Sequence, residues 1–167
     1  MILVAIGANL PGPDGVSARE SCAEAAEAVR AIEGLEFVAL SPWYRTRPIP
    51  AASQPDYCNG MIRLEGDIAP DALLARLQEI EGRFGRARGE VNAARTLDLD
   101  IIDLNGIIRA VPDPILPHPR AHLRAFVLRP LLDVAPGWRH PVLRQSIATL
   151  LAELPPQGIT PWADEEL

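Results

Sequence analysis

The sequence predicts an α+β fold, a ferredoxin-like α/β sandwich with a mainly antiparallel sheet and helices packed on it. Three observations carry this prediction. The candidate elements run strand, helix, strand, strand, helix, strand. The strand segments alternate in burial parity or are short apolar runs, whereas the helical segments repeat at three and four residues. The chain has 167 residues, 48% of them hydrophobic and 23% charged, which suffices for one buried core and is short for two. A single domain over residues 1–167 is expected, with its helices on one face of the sheet.

Ile2 to Ile6 is an apolar run closed by Gly7, and the turn-rich Pro11-Gly12-Pro13-Asp14-Gly15 follows it, so a strand leads into a loop. From Val16 to Ile32 the composition becomes rich in Ala and Glu, and Ala23, Ala26, Val29 and Ile32 suit one helical face. Leu35 to Thr46 reads as a strand and Arg47 to Gln54 as a Pro-rich loop. In Tyr57 to Glu65, Cys58, Ile62 and Leu64 share one parity, and Tyr57, Asn59, Met61 and Arg63 share the other. Ala69-Pro70-Asp71 opens a helix with Leu73, Leu74, Leu77 and Ile80 at helical spacing, ending near Phe84.

Gly85 to Ala94 has no periodicity, many small residues and several charges, which predicts an exposed, mobile loop. Residues 96 to 104 form the strongest strand, and Asn105-Gly106 is a favoured hairpin turn, so Ile107 to Val111 should pair back. Pro112 to Pro119 is read as loop, Phe126 to Val134 and Leu143 to Leu154 as helices. The tail 155–167 has too little pattern to place and is expected to be poorly ordered.

Composition narrows the function. A net charge of −6 argues against a generic nucleic-acid binder. All 16 basic residues are arginine, so neither a phosphate-loop lysine nor a kinase-type lysine exists here. No apolar stretch approaches the roughly 20 residues of a membrane span, and the first residues lack signal-peptide features, so a cytosolic protein without membrane contact is expected. Cys22 and Cys58 have no metal spacing and are expected as buried thiols.

Asp98 and Asp100, two apart on a strand, send their carboxylates from the same face with Cα atoms about 6.6 Å apart. Two such carboxylates repel unless a cation lies between them, and hard oxygen donors suit magnesium with phosphates completing the shell. A solvated acidic strand face is the plainer reading of that pair alone. Arg83, Arg86, Arg88 and Arg95 surround the loop just upstream, and guanidinium groups bind phosphate oxygens in a fork. A second cationic run, His118, Arg120, His122, Arg124 and Arg129, contains no acidic residue. Tyr57, Asn59 and Phe126 could stack and read a flat heterocycle, or simply belong to the core. A metal-dependent nucleotidyltransferase or nuclease, and a non-catalytic binding module, are the competing classes.

Taken in order, the blocks Ala5-Ile6-Gly7-Ala8-Asn9-Leu10, Tyr44-Arg45-Thr46, Gln54-Pro55-Asp56-Tyr57-Cys58-Asn59, Ile80-Glu81 with Gly85-Arg86-Ala87-Arg88, Arg95-Thr96-Leu97-Asp98-Leu99-Asp100-Ile101, and Leu116-Pro117-His118-Pro119-Arg120 with Arg124-Ala125-Phe126-Val127-Leu128 resemble the 6-hydroxymethyl-7,8-dihydropterin pyrophosphokinase family. The resemblance covers about Leu3 to Leu132. It implies an enzyme of folate biosynthesis that takes ATP and the pterin alcohol to AMP and the pterin diphosphate, with two magnesium ions. It implies metal positions for Asp98 and Asp100 and pterin positions for Thr46, Tyr57, Asn59 and Phe126. Arg86, Arg88 and Arg95 match catalytic phosphate contacts, and Glu81, His118 and Arg124 match ATP-binding positions. The chain departs from many members by having Asn92-Ala93-Ala94 where they carry Trp-Gly-Pro, and by Pro119 after His118.

Overall fold

The computed structural model describes residues 1–11, 15–47, 55–85 and 96–162. The elements are β1 (Ile2–Ala8), α1 (Ala18–Arg30), β2 (Leu35–Leu40), β3 (Tyr44–Thr46), β4 (Tyr57–Gly66), α2 (Pro70–Arg83), β5 (Asp98–Leu104), α3 (Ala125–Val134), α4 (Ile147–Ala152) and β6 (Ile159–Pro161). A short 3-10 turn, Ala121–Leu123, precedes α3. The sheet runs β5-β1-β4-β3-β6 with β2 also on β4, and the paired strands are antiparallel. This is the ferredoxin-like α/β arrangement expected from the element order.

The expected placement of helices on one face is corrected: both faces are covered. Ile2, Val4 and Ile6 of β1 join Ile62, Leu64, Leu99 and Ile101 in a core closed by Cys22, Ala25 and Val29 of α1 and Leu73, Leu77 and Ile80 of α2. Leu3, Met61 and Ile102 face the other way and pack under Val127, Leu128 and Leu131 of α3 and Ile147 and Leu150 of α4. A central strand buried on both sides should be apolar without alternation, as Ile2 to Ile6 is. α1 is capped by Ser17, whose hydroxyl accepts from Glu20 N–H at 3.2 Å. α2 starts with Pro70, whose missing N–H costs nothing at a first helical position.

Several boundaries differ from the sequence reading. Leu35 to Thr46 is not one strand. Ser41-Pro42-Trp43 divides it, and the Ser41 hydroxyl accepts from Met61 N–H at 2.9 Å while donating to Pro42 O at 2.8 Å. Ile107 to Val111 does not pair back on β5. Asn105 and Gly106 do take positive φ, 53° and 73°, as a tight turn requires. The free edge of β5 is instead met by the segment after Leu116, where His118 N–H donates to Ile102 O at 3.0 Å. Arg109 bridges Leu116, and Ile108 and Val111 stay exposed. The last helix is shorter than Leu143 to Leu154, because Ser146 caps its start at Ile147 by accepting from Thr149 N–H. Within the tail, Ile159–Pro161 pairs with β3, and Trp162 N–H donates to Trp43 O at 2.9 Å. Residues 163–167 and the loop expected over Gly85 to Ala94, beyond Gly85 itself, lie outside the described residues.

Candidate active site

Strand register brings the candidate residues onto the sheet face that α3 packs against. Gly7 is paired with Asp98 on one side and Asn59 on the other, and Asn59 is paired with Tyr44, so these four form a row across β5, β1, β4 and β3. Asp100 lies in a neighbouring row with Ala5 and Met61. Thr46 and Tyr57 are partners at the end of β3 and β4. Asn59 is buried, and its amide donates to Thr46 Oγ1 at 2.7 Å. The lack of a side chain at Gly7 makes this row possible, since a Cβ there would sit 2.9 Å from Asn59 Oδ1. Tyr44 donates its hydroxyl to Asp133 of α3, and burial followed by that carboxylate pushes its pKa up to about 12.

Asp98 and Asp100 do share a face, while Leu99 and Ile101 enter the opposite core. The local charge balance is unfavourable to two carboxylates. Burial, then the Asp98 charge, push the Asp100 carboxyl up to about 7, with Glu81 adding to the rise and Arg124 opposing it. A hard divalent cation fits such a donor pair, because it would offset both charges and accept oxygen ligands. Among the described residues no group of three or more His, Cys, Asp or Glu side chains could hold a metal, so two carboxylates would leave most of the coordination shell to substrate and water oxygens.

Glu81 is buried beneath this strand, and its Oε2 accepts from Leu99 N–H at 2.9 Å. Among the described strands β5 pairs with β1 alone, and the His118 segment meets its other edge at Ile102, so this bond from α2 fastens the stretch carrying both aspartates. His118 is turned toward the same centre. Its Nδ1 accepts from Arg120 N–H at 3.2 Å, so the neutral ring carries its proton on Nε2. Burial first, then Arg124 and Arg120, push its pKa down to about 4 against the pull of Asp98. Arg124 ends the turn before α3, with its guanidinium 5.3 Å from the centroid of the Phe126 ring.

A cavity of about 240 Å³ opens beside the row, walled by Thr46, Arg47 and Phe126 together with tail residues 156–159. Tyr57 and Asn59 stand next to it on the sheet and are not among its lining residues. Arg86, Arg88 and Arg95 lie outside the described residues.

Residues 3–136 match the family described as 7,8-dihydro-6-hydroxymethylpterin-pyrophosphokinase. The chain belongs to this pyrophosphokinase family. Its relatives include the 2-amino-4-hydroxy-6-hydroxymethyldihydropteridine pyrophosphokinase of Pseudomonas aeruginosa, 39% identical over 158 residues that cover 95% of this chain and 94% of the relative. The protein of the same name from Synechocystis is 35% identical over 161 residues, covering 96% and 80%. Among solved structures, a Plasmodium falciparum HPPK-DHPS aligns with a TM-score of 0.67 over 91% of this chain and 42% of that longer chain, at 13% identity. An HPPK-DHPS in complex with substrates gives 0.65 over 90% and 42%, also at 13%. These two likenesses support the fold.

The family match agrees with the activity that the sequence blocks imply, a pyrophosphokinase acting on 6-hydroxymethyl-7,8-dihydropterin in folate biosynthesis. The geometry adds residues to the candidate site to which sequence reasoning gave no role. Gly7 is one, visible in the sequence as the residue that closes the first strand and as part of a family block, with no role attached. The tail wall is the other, and Gln157 within it carries no periodic or motif signal.

Proposed function

We propose that this chain transfers the β,γ-diphosphate of ATP to the hydroxymethyl oxygen of 6-hydroxymethyl-7,8-dihydropterin. The observation that carries the reading is the union, on one sheet face, of the Asp98 and Asp100 carboxylates with Asn59 and, beside it, a cavity walled by Thr46 and Phe126. In the reaction the hydroxymethyl oxygen bonds to the β-phosphorus and the bond between that phosphorus and the α-bridging oxygen breaks. AMP leaves with the bridging oxygen, and the hydroxyl proton is released to solvent. Asp98 and Asp100 would hold magnesium, two ions by family resemblance, which supplies charge neutralisation at the phosphates.

The protein's own residues bind and orient. Phe126 offers its ring to the pterin, while Asn59, braced by Thr46, offers an amide edge for its heteroatoms. Tyr57 lies on the same face to complete the pterin contact. Neutral His118 donates a hydrogen bond from Nε2, and Arg124 adds a fixed positive charge beside Asp100 for the nucleotide. Glu81 serves ATP by holding β5 in place. Arg86, Arg88 and Arg95 are assigned to the transferring phosphates on the family blocks. Acceleration then comes from positioning and charge neutralisation, which are the main means available in such transfers. The free thiols Cys22 and Cys58, both buried, suit a reducing cytosol. Among the described residues no helix is long and apolar enough to cross a membrane.

Incubation with ATP, magnesium and the pterin alcohol, followed by chromatography, tests the reading. AMP and the pterin diphosphate should appear in equal amounts. Formation of ADP with a pterin monophosphate, or of AMP with free diphosphate, would rule it out.

A further inference from the structure

The helix that carries Phe126 starts without a cap of its own. Its N-cap residue is Arg124, which makes no side-chain capping bond, and a guanidinium has no acceptor to offer to a helix N–H. The missing acceptor comes from 32 residues further along the chain: Gln157 Oε1 accepts from Ala125 N–H at 2.8 Å. The other end of the same amide is also used, since Gln157 Nε2 donates to Leu123 O at 3.1 Å. One side chain thus clamps the backbone immediately before and after Arg124. Two residues beyond Gln157, Ile159–Pro161 pairs with β3, placing Ile159 opposite Thr46. The tail therefore ties together the two walls of the cavity, the strand end with Thr46 and the helix start with Phe126.

We propose that Gln157 is a positioning residue for the pterin pocket, acting through the turn it clamps to hold Phe126 against the cavity. This rests on the pterin assignment made above. A helix start held by a neighbouring segment keeps its first residues in one orientation, and an aromatic wall gives affinity only when its ring is already in place. Gln157 needs no contact with substrate for this.

Gln157→Met keeps the length and volume of the side chain and removes both hydrogen bonds. Pterin affinity, measured by calorimetry in the presence of a non-hydrolysable ATP analogue and magnesium, should fall on the order of tenfold. The decisive arm is a double-mutant cycle with Phe126→Ala. If Gln157 works through Phe126, the double variant should bind pterin as poorly as Phe126→Ala alone, whereas a general loss of structure would add to it. Amide exchange of Ala125 in the unaltered protein gives a second reading that does not depend on a variant folding. Slow exchange supports the clamp, and exchange as fast as an exposed loop amide overturns it. Unchanged pterin affinity in Gln157→Met, or additive losses in the cycle, would also overturn it. A parent protein that fails to bind pterin at all would instead remove the proposed function, and this inference with it.

Discussion

Burial and the neighbouring Asp98 charge make an ionised Asp100 costly, and the direction of this effect makes a test possible. Its carboxyl rises from 3.8 to about 7, so between those values the folded chain holds the proton more tightly than the unfolded one. Stability from this group is therefore lost as pH rises through that window. His118 has the opposite sign: lowered from 6.5 to about 4, it costs stability as pH falls between those values. Asp100→Asn removes only the first effect. The metal-free variant should melt a few degrees higher than the parent at pH 8, roughly as a 1 to 2 kcal/mol gain implies, and equally near pH 4. Magnesium should narrow the gap at pH 8. A variant that melts lower than the parent at pH 8 would contradict this charge balance. Turnover should respond in the other direction. Asp98→Asn and Asp100→Asn should each lower kcat by a factor of about 100 or more, near 3 kcal/mol in the barrier. Phe126→Ala should weaken pterin binding by about 1 to 3 kcal/mol while sparing ATP. Gly7→Ala should also weaken pterin binding, because its new methyl group displaces the Asn59 amide that Thr46 braces. Equal losses for pterin and ATP in either variant would point to unfolding instead.

At the scale of elements, what the sequence shows depends on whether the signal is local. β1, β4, α2 and β5 were legible because apolar spacing matches which side chains meet the core, and the shared face of Asp98 and Asp100 follows from strand alternation alone. The missed hairpin is instructive. Asn105-Gly106 makes the turn it favours, yet no residue spacing announces that the segment at His118 will take the edge of β5. β6 and the Gln157 clamp were illegible for the same reason, since both depend on partners over 30 residues away. Glu81 stands between the two cases. The sequence motif marks it for ATP, and the fold shows its carboxylate on Leu99 N–H. Glu81→Ala should destabilise the protein by about 1 to 3 kcal/mol in urea unfolding, the cost of stranding a buried donor. Glu81→Gln retains an acceptor and should cost less. If Glu81→Gln left stability intact but weakened ATP binding tenfold, a direct nucleotide contact would replace the strand-fastening role.

Over the whole molecule, the additional helices after β5 set this chain apart from a plain two-layer sandwich. α1 and α2 cover one face, and α3 and α4 close the second over Leu3, Met61 and Ile102. Among the described residues, the part of that second face near Asp98, Asn59 and Thr46 borders a cavity bounded by the start of α3 and the tail. The acidic pair, the neutral histidine and the Phe126 wall of the cavity thus come from strands and turns held on both sides by a packed core, which favours a preformed site. Phosphorus NMR tests the central claim most directly. With ATP, magnesium and 6-hydroxymethyl-7,8-dihydropterin, the parent protein should convert the three ATP resonances into an AMP singlet and two coupled resonances of a diphosphate ester, and Asp98→Asn should leave ATP almost unchanged. Resonances of ADP, a singlet of free diphosphate, or equal conversion by Asp98→Asn would contradict it.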